Sequence, residues 1–598
     1  MAKKQSDTHW SRRYPPLASA AVAMLLALFV LPSALNVPQS NPTQTLEFAP
    51  IPPDDNPPPP EVANLESLSL GTSAGLPADA PGGNHDTGLP PPPAIPDGVG
   101  ETPVTKRCVG SPPRQSEDPL SPPCVAHFQG DNSGATHAGV SEDEITVLIY
   151  MDSARCEGAT SRGFECPTPG SLIDLQAAPQ DDDHSSVRIL RAYMAHFNDR
   201  FQTYNRTVHG WAYYDRAGTQ GAATSEDRRA EAAELMAELE PFAVMPYAVT
   251  YNVDFLDEVV NRGALTFGSL GAQPASFYRQ HPGRIWSFLP SIEQQANVFT
   301  DFVCTMIAPY PTEFSGNLGE NGQSRIFGLL RTSDERKQNL IRYGDVIQQQ
   351  LEDCGIEFEV TATYPRAGSI YETDNQQAAS QNMPTFASRG VTTIIRSQGM
   401  ETWHSRVAGS MGYQPEWIIA GDGQSEGSTP ATFQDQETWD DHAWVVTSLP
   451  LAKPNDQRMC DRALREGAPD MPKEDRDFSC DYRTYYEDLR MLFTGIQTAG
   501  PRLTPETLDQ GLHAIPAVQS VDPTVPACFF EPGDYTCIKD AAVGHWDADA
   551  ARTEVVNGCW IMASGANRWF AGAWPDAPLS SLIRPDDPCN QFAGSANA

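Results

Sequence analysis

Gly139–Asp152 reads GVSEDEITVLIYMD. An acidic, turn-forming GVSEDE leads into an apolar, β-branched run, Ile145 to Met151, which stops on Asp152 and Ser153. A short continuous apolar run between turn signals predicts a buried strand of the kind found in parallel sheets. The residues that follow alternate in period. Val187, Leu190, Tyr193, Met194, Phe197 and Phe201 recur at helical spacing across 187–204, and Trp211–Tyr214 reads as a strand ending on Asp215. Helix 226–239, strand 242–247, helix 254–262 and strand 265–267 continue the series, the last ending on Gly268-Ser269. This order predicts a doubly wound parallel sheet.

A second cycle follows. Helix 291–308, strand 325–330, helix 334–354, strand 358–364, helix 374–388, strand 391–396, helix 401–411 and strand 417–420 predict a second sheet of the same class. Two further helices, 481–499 and 504–514, precede Val543–Arg552 and a strand near 557–564. The fold class expected is α/β, with two Rossmann-like doubly wound lobes joined by a hinge.

The N-terminal 138 residues are organised differently. Lys3, Lys4, Arg12 and Arg13 precede an apolar run from Leu17 to Leu31 that Pro32 interrupts. That pattern addresses the chain for export, with residues 17–35 as either a cleaved signal or a retained anchor and 1–16 on the cytoplasmic side. Residues 36–113 are dense in Pro, Gly and Asp and include Pro57–Pro60 and Pro90–Pro93, a composition that forms an extended spacer and not a core. Residues 114–138 form a Cys-containing collar, and 139–598 the two-lobed body. Lobe one takes about 139–290 with part of 424–530, and lobe two about 291–423 with the C-terminal part.

The 12 cysteines are even in number and lie largely in polar sequence, which in an exported chain reads as a disulfide framework. The expected pairs are Cys108/Cys124, Cys156/Cys166, Cys304/Cys354, Cys460/Cys480, Cys528/Cys537 and Cys559/Cys589. No pair has C-x-x-C spacing and no His clusters with Cys, so no metal and no other cofactor is expected. Asp181-Asp182-Asp183-His184 lacks the spaced oxygens of a calcium loop and reads as a solvated helix start. With 41 basic against 77 acidic residues, a net charge of −36, the chain repels nucleic acid and anionic lipid. Contact with a membrane is expected only through the N-terminal segment.

Gly139-Val140-Ser141 and the strand after it resemble the opening of the type I periplasmic binding proteins, the branched-chain amino-acid and amide class, with Ser141 where those families place Thr. Gly544, Trp546 and Asp547 resemble part of that family's closing segment, in which a turn precedes a strand; the second Gly of that turn is absent. The resemblance covers roughly 139–575 and implies a hinged protein that captures a small-molecule ligand between its lobes and delivers it to an ABC permease or a membrane sensor, without catalytic turnover.

In open parallel sheets, ligands bind beyond the carboxyl ends of the strands. That selects Ser153 after the first strand, Tyr247 to Thr250 after the third and Ser269 to Ala272 after the fourth. The resemblance implies that Ser269 and Thr250 offer hydroxyls to an amino-acid ligand, with Tyr247 as a wall. In the second lobe the strand-end rule selects the loops that carry Arg331-Thr332, Arg396-Ser397 and Asp422, with Thr332, Ser397 and Asp422 as the candidate contacts and Asp422 matching the family's acid. The segment Arg331–Glu335 lacks the family's Tyr-Gly and is more charged, which leaves an anionic ligand open. Each of these residues could equally cap a helix or satisfy a turn.

Two other readings stay open. Gly423-Gln424-Ser425-Glu426-Gly427 matches G-x-S-x-G, the elbow of an α/β serine hydrolase, with His442, His513 and His545 downstream. A hydrolase needs a helix directly after Ser425, where Ser428-Thr429-Pro430 and a polar run stand instead. The third reading is a binding-like domain without ligand that serves cell-envelope assembly.

Overall fold

The computed structural model describes residues 108–590 apart from 112, 152, 154–165, 181–182, 217–223, 247–252, 269–272, 317–320, 368–372, 398–400, 423–425, 474–475, 477–482, 518–521, 523 and 551–557. In the first lobe the elements run β1 Glu144–Met151, β2 Leu172–Asp174, α1 Ser185–Arg200, β3 Thr207–Tyr214, α2 Ser225–Leu239, β4 Ala243–Pro246, α3 Val253–Asn261, β5 Leu265–Gly268, α4 Ala275–Gln280 and β6 Ile285–Ser287. The sheet order is β2-β3-β1-β4-β5-β6, parallel throughout except for β2 against β3.

β1 is central, and Ile145, Val147, Leu148 and Ile149 are fully buried, as a strand covered on both faces requires. The turn ahead of it is built by its own sequence. Ser141 Oγ accepts from the backbone N–H of Asp143 (3.2 Å) and Glu144 (2.9 Å). Gly139 has φ +71°, and a Cβ there would sit 2.2 Å from Phe242 N, so the close approach of this turn to the start of β4 requires glycine.

The second lobe opens with α5 Ile292–Phe302, started by the capping box of Ser291 and Gln294. Where one helix over 291–308 was expected, α5 passes into a π-helical turn, Val303–Ile307. Then come β7 Phe327–Thr332, α6 Gln338–Asp353, β8 Phe358–Tyr364, α7 Asn375–Ser388, β9 Thr393–Arg396, α8 Trp403–Ser410, β10 Glu416–Ala420 and β11 Ala443–Thr447. α6 begins four residues later than the spacing suggests. Asp334 is committed to a turn, its carboxylate accepting from Arg336 and from Ala367 N–H.

Helices α9 Met459–Gly467, α10 Arg483–Ala499 and α11 Pro505–His513 return to the first lobe's core. The chain then re-enters the second sheet with β12 Asp540–Asp547, β13 Cys559–Met562, β14 Trp569–Phe570 and β15 Cys589–Asn590. The second sheet runs β15-β13-β12-β11-β10-β9-β7-β8, with β14 on β12. Among the described residues the chain crosses between the lobes at 288–291, at 448–458 and at 539.

The closing segment departs from expectation. Gly544, Trp546 and Asp547 lie in β12, antiparallel to β13, and not in a turn. A Cβ at Gly544 would meet Met562 Sδ at 2.8 Å, so this glycine serves close strand packing.

Cys108–Cys124, Cys304–Cys354, Cys528–Cys537 and Cys559–Cys589 are bonded as expected. Cys166 and Cys460 are also disulfide-bonded; the expected partners, Cys156 and Cys480, lie outside the described residues. The collar docks on first-lobe helices. Glu117 pairs with Arg200 of α1 and Arg462 of α9, and Tyr486 of α10 donates to Asp118 at 2.8 Å. Among the described residues, no helix is long and apolar enough to cross a membrane.

Candidate functional site

A doubly wound sheet has a switch point where the chain turns from building on one side of a strand to the other, and the crevice beyond the carboxyl ends opens there. In the first sheet β1 has β3 on one side and β4 on the other; in the second, β7 has β8 on one side and β9 on the other. The loops that follow β1 and β4, and β7 and β9, therefore define the candidate site.

Ser153 is held by its own sheet. Its backbone N–H and Oγ donate to Asp215 Oδ1 at 2.8 and 2.7 Å, and Asp215 N–H donates to Met151 O, so the ends of β1 and β3 are locked together. Behind this pair, Tyr150 and Tyr213 donate their hydroxyls to Glu231 of α2 at 2.6 and 2.7 Å. Burial and the Glu231 carboxylate push the Tyr150 phenol far above its ordinary pKa. Tyr247, Thr250, Ser269 and Ala272 lie outside the described residues.

On the second lobe, Thr332, Ser397 and Asp422 follow three consecutive strands, β7, β9 and β10. Buried Thr332 turns its hydroxyl on local backbone, accepting from Asp334 N–H at 3.1 Å. Ser397 is fully buried; its N–H donates to Leu330 O, while its Oγ has no hydrogen-bond partner. Asp422 is half-buried, and its charge acts on Tyr343, Tyr364 and Arg396. Tyr343 reaches from α6 to donate to Gly421 O at 2.9 Å, fixing the end of β10.

Arg396, beside Ser397, is the residue the sequence reading undervalued. It is fully buried, with its guanidinium 5.5 and 5.7 Å from the Trp417 and Trp439 rings. Nη2 donates to Glu401 O at 2.6 Å, whereas Nε and Nη1 have no hydrogen-bond partner. Burial lowers its pKa. Burial alone would raise the Glu401 carboxyl, but His404, 2.7 Å away, and Arg396 outweigh it and hold the group below its ordinary range. The only sequence signal for this assembly was an Arg closing an otherwise apolar strand.

Loops of the two lobes meet. Asn339, in the first turn of α6, donates from Nδ2 to Gln273 Oε1 at 3.0 Å, and Gln273 lies between β5 and α4. Glu293 of α5 accepts from Ala275 N–H at 2.7 Å and pairs with Arg342 of α6 at 2.6 Å. Carboxyl-end loops of the two sheets thus face one another.

Ser425 lies outside the described residues. Contrary to the sequence reading, a five-residue helix, Ser428–Thr432, follows it closely. The downstream histidines are placed elsewhere. His442 immediately precedes β11 and His545 lies opposite Trp444 near the start of that strand, at the edge opposite the one Ser425 follows, and His513 belongs to first-lobe helix α11. Among the described residues no group of three or more His, Cys, Asp and Glu is arranged to hold a metal ion.

No family model and no curated protein matches the chain. Solved structures do resemble it. A solute-binding protein of an R. palustris ABC transporter in complex with 4-hydroxybenzoate is 9% identical, over 73% of this chain and 98% of that one, with a TM-score of 0.44. A leucine-binding protein from Thermotoga maritima is 11% identical over 69% and 98%, with a TM-score of 0.42. A branched-chain amino-acid ABC transporter periplasmic ligand-binding protein from Burkholderia xenovorans is 11% identical over 71% and 96%, with a TM-score of 0.45. Two doubly wound sheets joined by repeated crossings are the two-lobed architecture that the sequence resemblance implied.

Proposed function

We propose that the chain is an extracytoplasmic solute-binding protein that holds a small polar ligand between its lobes and presents the closed form to an ABC permease or a membrane sensor. The observation that carries this reading is that carboxyl-end loops of the two sheets face one another at the Asn339–Gln273 contact. Ser153, Tyr247, Thr250, Ser269, Ala272, Thr332, Ser397 and Asp422 are the proposed contact residues, with Arg396 added from the structure. Its Nε and Nη1, which have no acceptor, favour a ligand rich in oxygen. A ligand that touches both lobes stabilises the closed form by its differential contacts, which is the whole of the mechanism. The N-terminal basic and apolar segment supports export.

The test is a thermal-shift screen of the purified, oxidised protein against amino acids, amides, short-chain acids, peptides and sugars. A ligand at about 100 times its Kd adds about 2.7 kcal/mol if it binds only the native state. A saturable shift for one class supports the reading and names the ligand. A panel without a shift moves the balance to a role in envelope assembly.

A further inference from the structure

Beside the hinge, on the side of the collar, lies a cavity of about 200 Å³ that the ligand cleft does not include. Its walls come from separate stretches of chain: Leu120 of the collar, Phe288 on the first crossing, Leu451 on the second, Met459 at the start of α9, and Val525 and Pro526 ahead of β12. It is partly open to solvent, at a point where these segments converge.

The lining identifies the chemistry. Charged groups of the lining are engaged with one another or with arginines outside it: Glu117 pairs with Arg462 and Glu487 with Arg490. Lys453 pairs with Asp522 at 2.7 Å, Thr524 donates to the same carboxylate at 2.6 Å, and Tyr486 donates to Asp118 at 2.8 Å. No buried polar atom lacking a partner belongs to a lining residue. A ligand there meets a wall that is mainly apolar and charged groups that are already engaged, which selects against ions. An apolar cavity of about 150 Å³ accommodates benzene, so this one has room for a single substituted ring.

The placement identifies the consequence. Phe288 belongs to the first lobe's core and Leu451 packs against the second's, and both stand on crossing segments. A change of lobe angle that shifts one crossing against the other alters the distance between these walls. We propose that the cavity binds a neutral, single-ring apolar compound and that occupancy biases the hinge. The second half of this proposal rests on the hinged-closure reading above; the first half does not.

The test uses the full, oxidised chain without cleft ligand and fluorobenzene as the probe. Saturable broadening of the ¹⁹F signal together with a rise in melting temperature is the expected result. Leu451→Trp and, as a second variant should the first not fold, Leu120→Trp place an indole in the cavity and weaken binding about tenfold or more. Absence of saturation up to the solubility limit overturns the proposal, and so does binding that both folded variants leave unchanged, because the ring then sits elsewhere. A change in small-angle scattering radius on saturation supports the bias on the hinge, and an unchanged radius overturns that half alone. Because the cleft is empty throughout, failure here and failure of the solute screen are read separately.

Discussion

Asn339 Nδ2 lies 3.0 Å from Gln273 Oε1, joining the first turn of the helix after β7 to the loop after β5. The bond spans the two lobes at the side where the strands end. Under the proposed hinge closure this contact is made and broken as the lobes move. A neutral hydrogen bond contributes about 1 kcal/mol net. Asn339→Ala is expected to shift the equilibrium between lobe arrangements about fivefold toward the open form. Small-angle scattering of the unliganded protein checks this; an unchanged radius would show that the contact does not contribute to closure.

The base of the second lobe rests on a buried ion pair. Glu416 accepts from Arg325 Nε at 2.8 Å, from Thr393 Oγ1 at 2.5 Å and from the N–H groups of Glu313 and Phe314, with both charged side chains almost fully buried. Arg325→Met strands the carboxylate and is expected to cost about 3–5 kcal/mol. Burial would raise the Glu416 pKa, but Arg325 and the hydrogen bonds lower it on balance. A depressed folded pKa gives stability that is present above the unfolded value near 4.3 and lost as pH falls through the folded value. Glu416→Gln should therefore flatten the acid limb of a denaturation curve, which urea titrations between about pH 2 and 6 would measure.

The opposite sign applies to His209. Its ring bridges Glu144 at 2.9 Å and Asp174 at 2.8 Å, tying β3 to β1 and the edge strand β2, and it stacks on Trp211. Burial lowers its pKa, but the two carboxylates outweigh that and raise it. The stabilisation is full below the unfolded pKa near 6.5 and fades as pH rises through the raised folded value. His209→Gln should lower the melting temperature most in mildly acidic buffer and least in alkaline buffer. A deficit independent of pH would contradict this assignment.

Cys304, in the π turn after α5, is bonded to Cys354 at the end of α6 across a separation of 50 residues. Loop-closure entropy puts the contribution of such a bridge near about 4 kcal/mol, and measured bridges fall at about 2–4. Cys304→Ser with Cys354→Ser should lose stability in that range without altering ligand specificity, because both lie away from the strand ends of the candidate site. Equilibrium unfolding of the double variant measures it.

Much of the fold was legible. Long buried strands such as β1, and helices with an apolar stripe such as α1, announce themselves because each carries a full period of the pattern its neighbours impose. Three-residue strands such as β2 and β6 carry too little pattern to be read. β11 was overlooked although Ala443–Thr447 is a short apolar run ahead of Ser448-Leu449-Pro450, a signal the preceding acidic stretch obscured. Of the candidate site, Thr332, Ser397 and Asp422 were reached by the rule of strand ends, whereas the importance of Arg396 emerged only from its burial between two tryptophans.

The sequence by itself indicated the longer strands and helices and the turn at Gly139–Ser141, and it suggested cysteine pairs of which four are bonded as expected. Those properties depend on local periodicity, backbone freedom and cysteine spacing, all encoded within a few tens of residues. Only the tertiary structure decided that Gln273 meets Asn339, that Leu120, Phe288 and Leu451 enclose one cavity, and that Gly544 lies in a strand. Contacts between residues separated by tens to hundreds of positions depend on how whole layers pack, and no window of the chain carries that information.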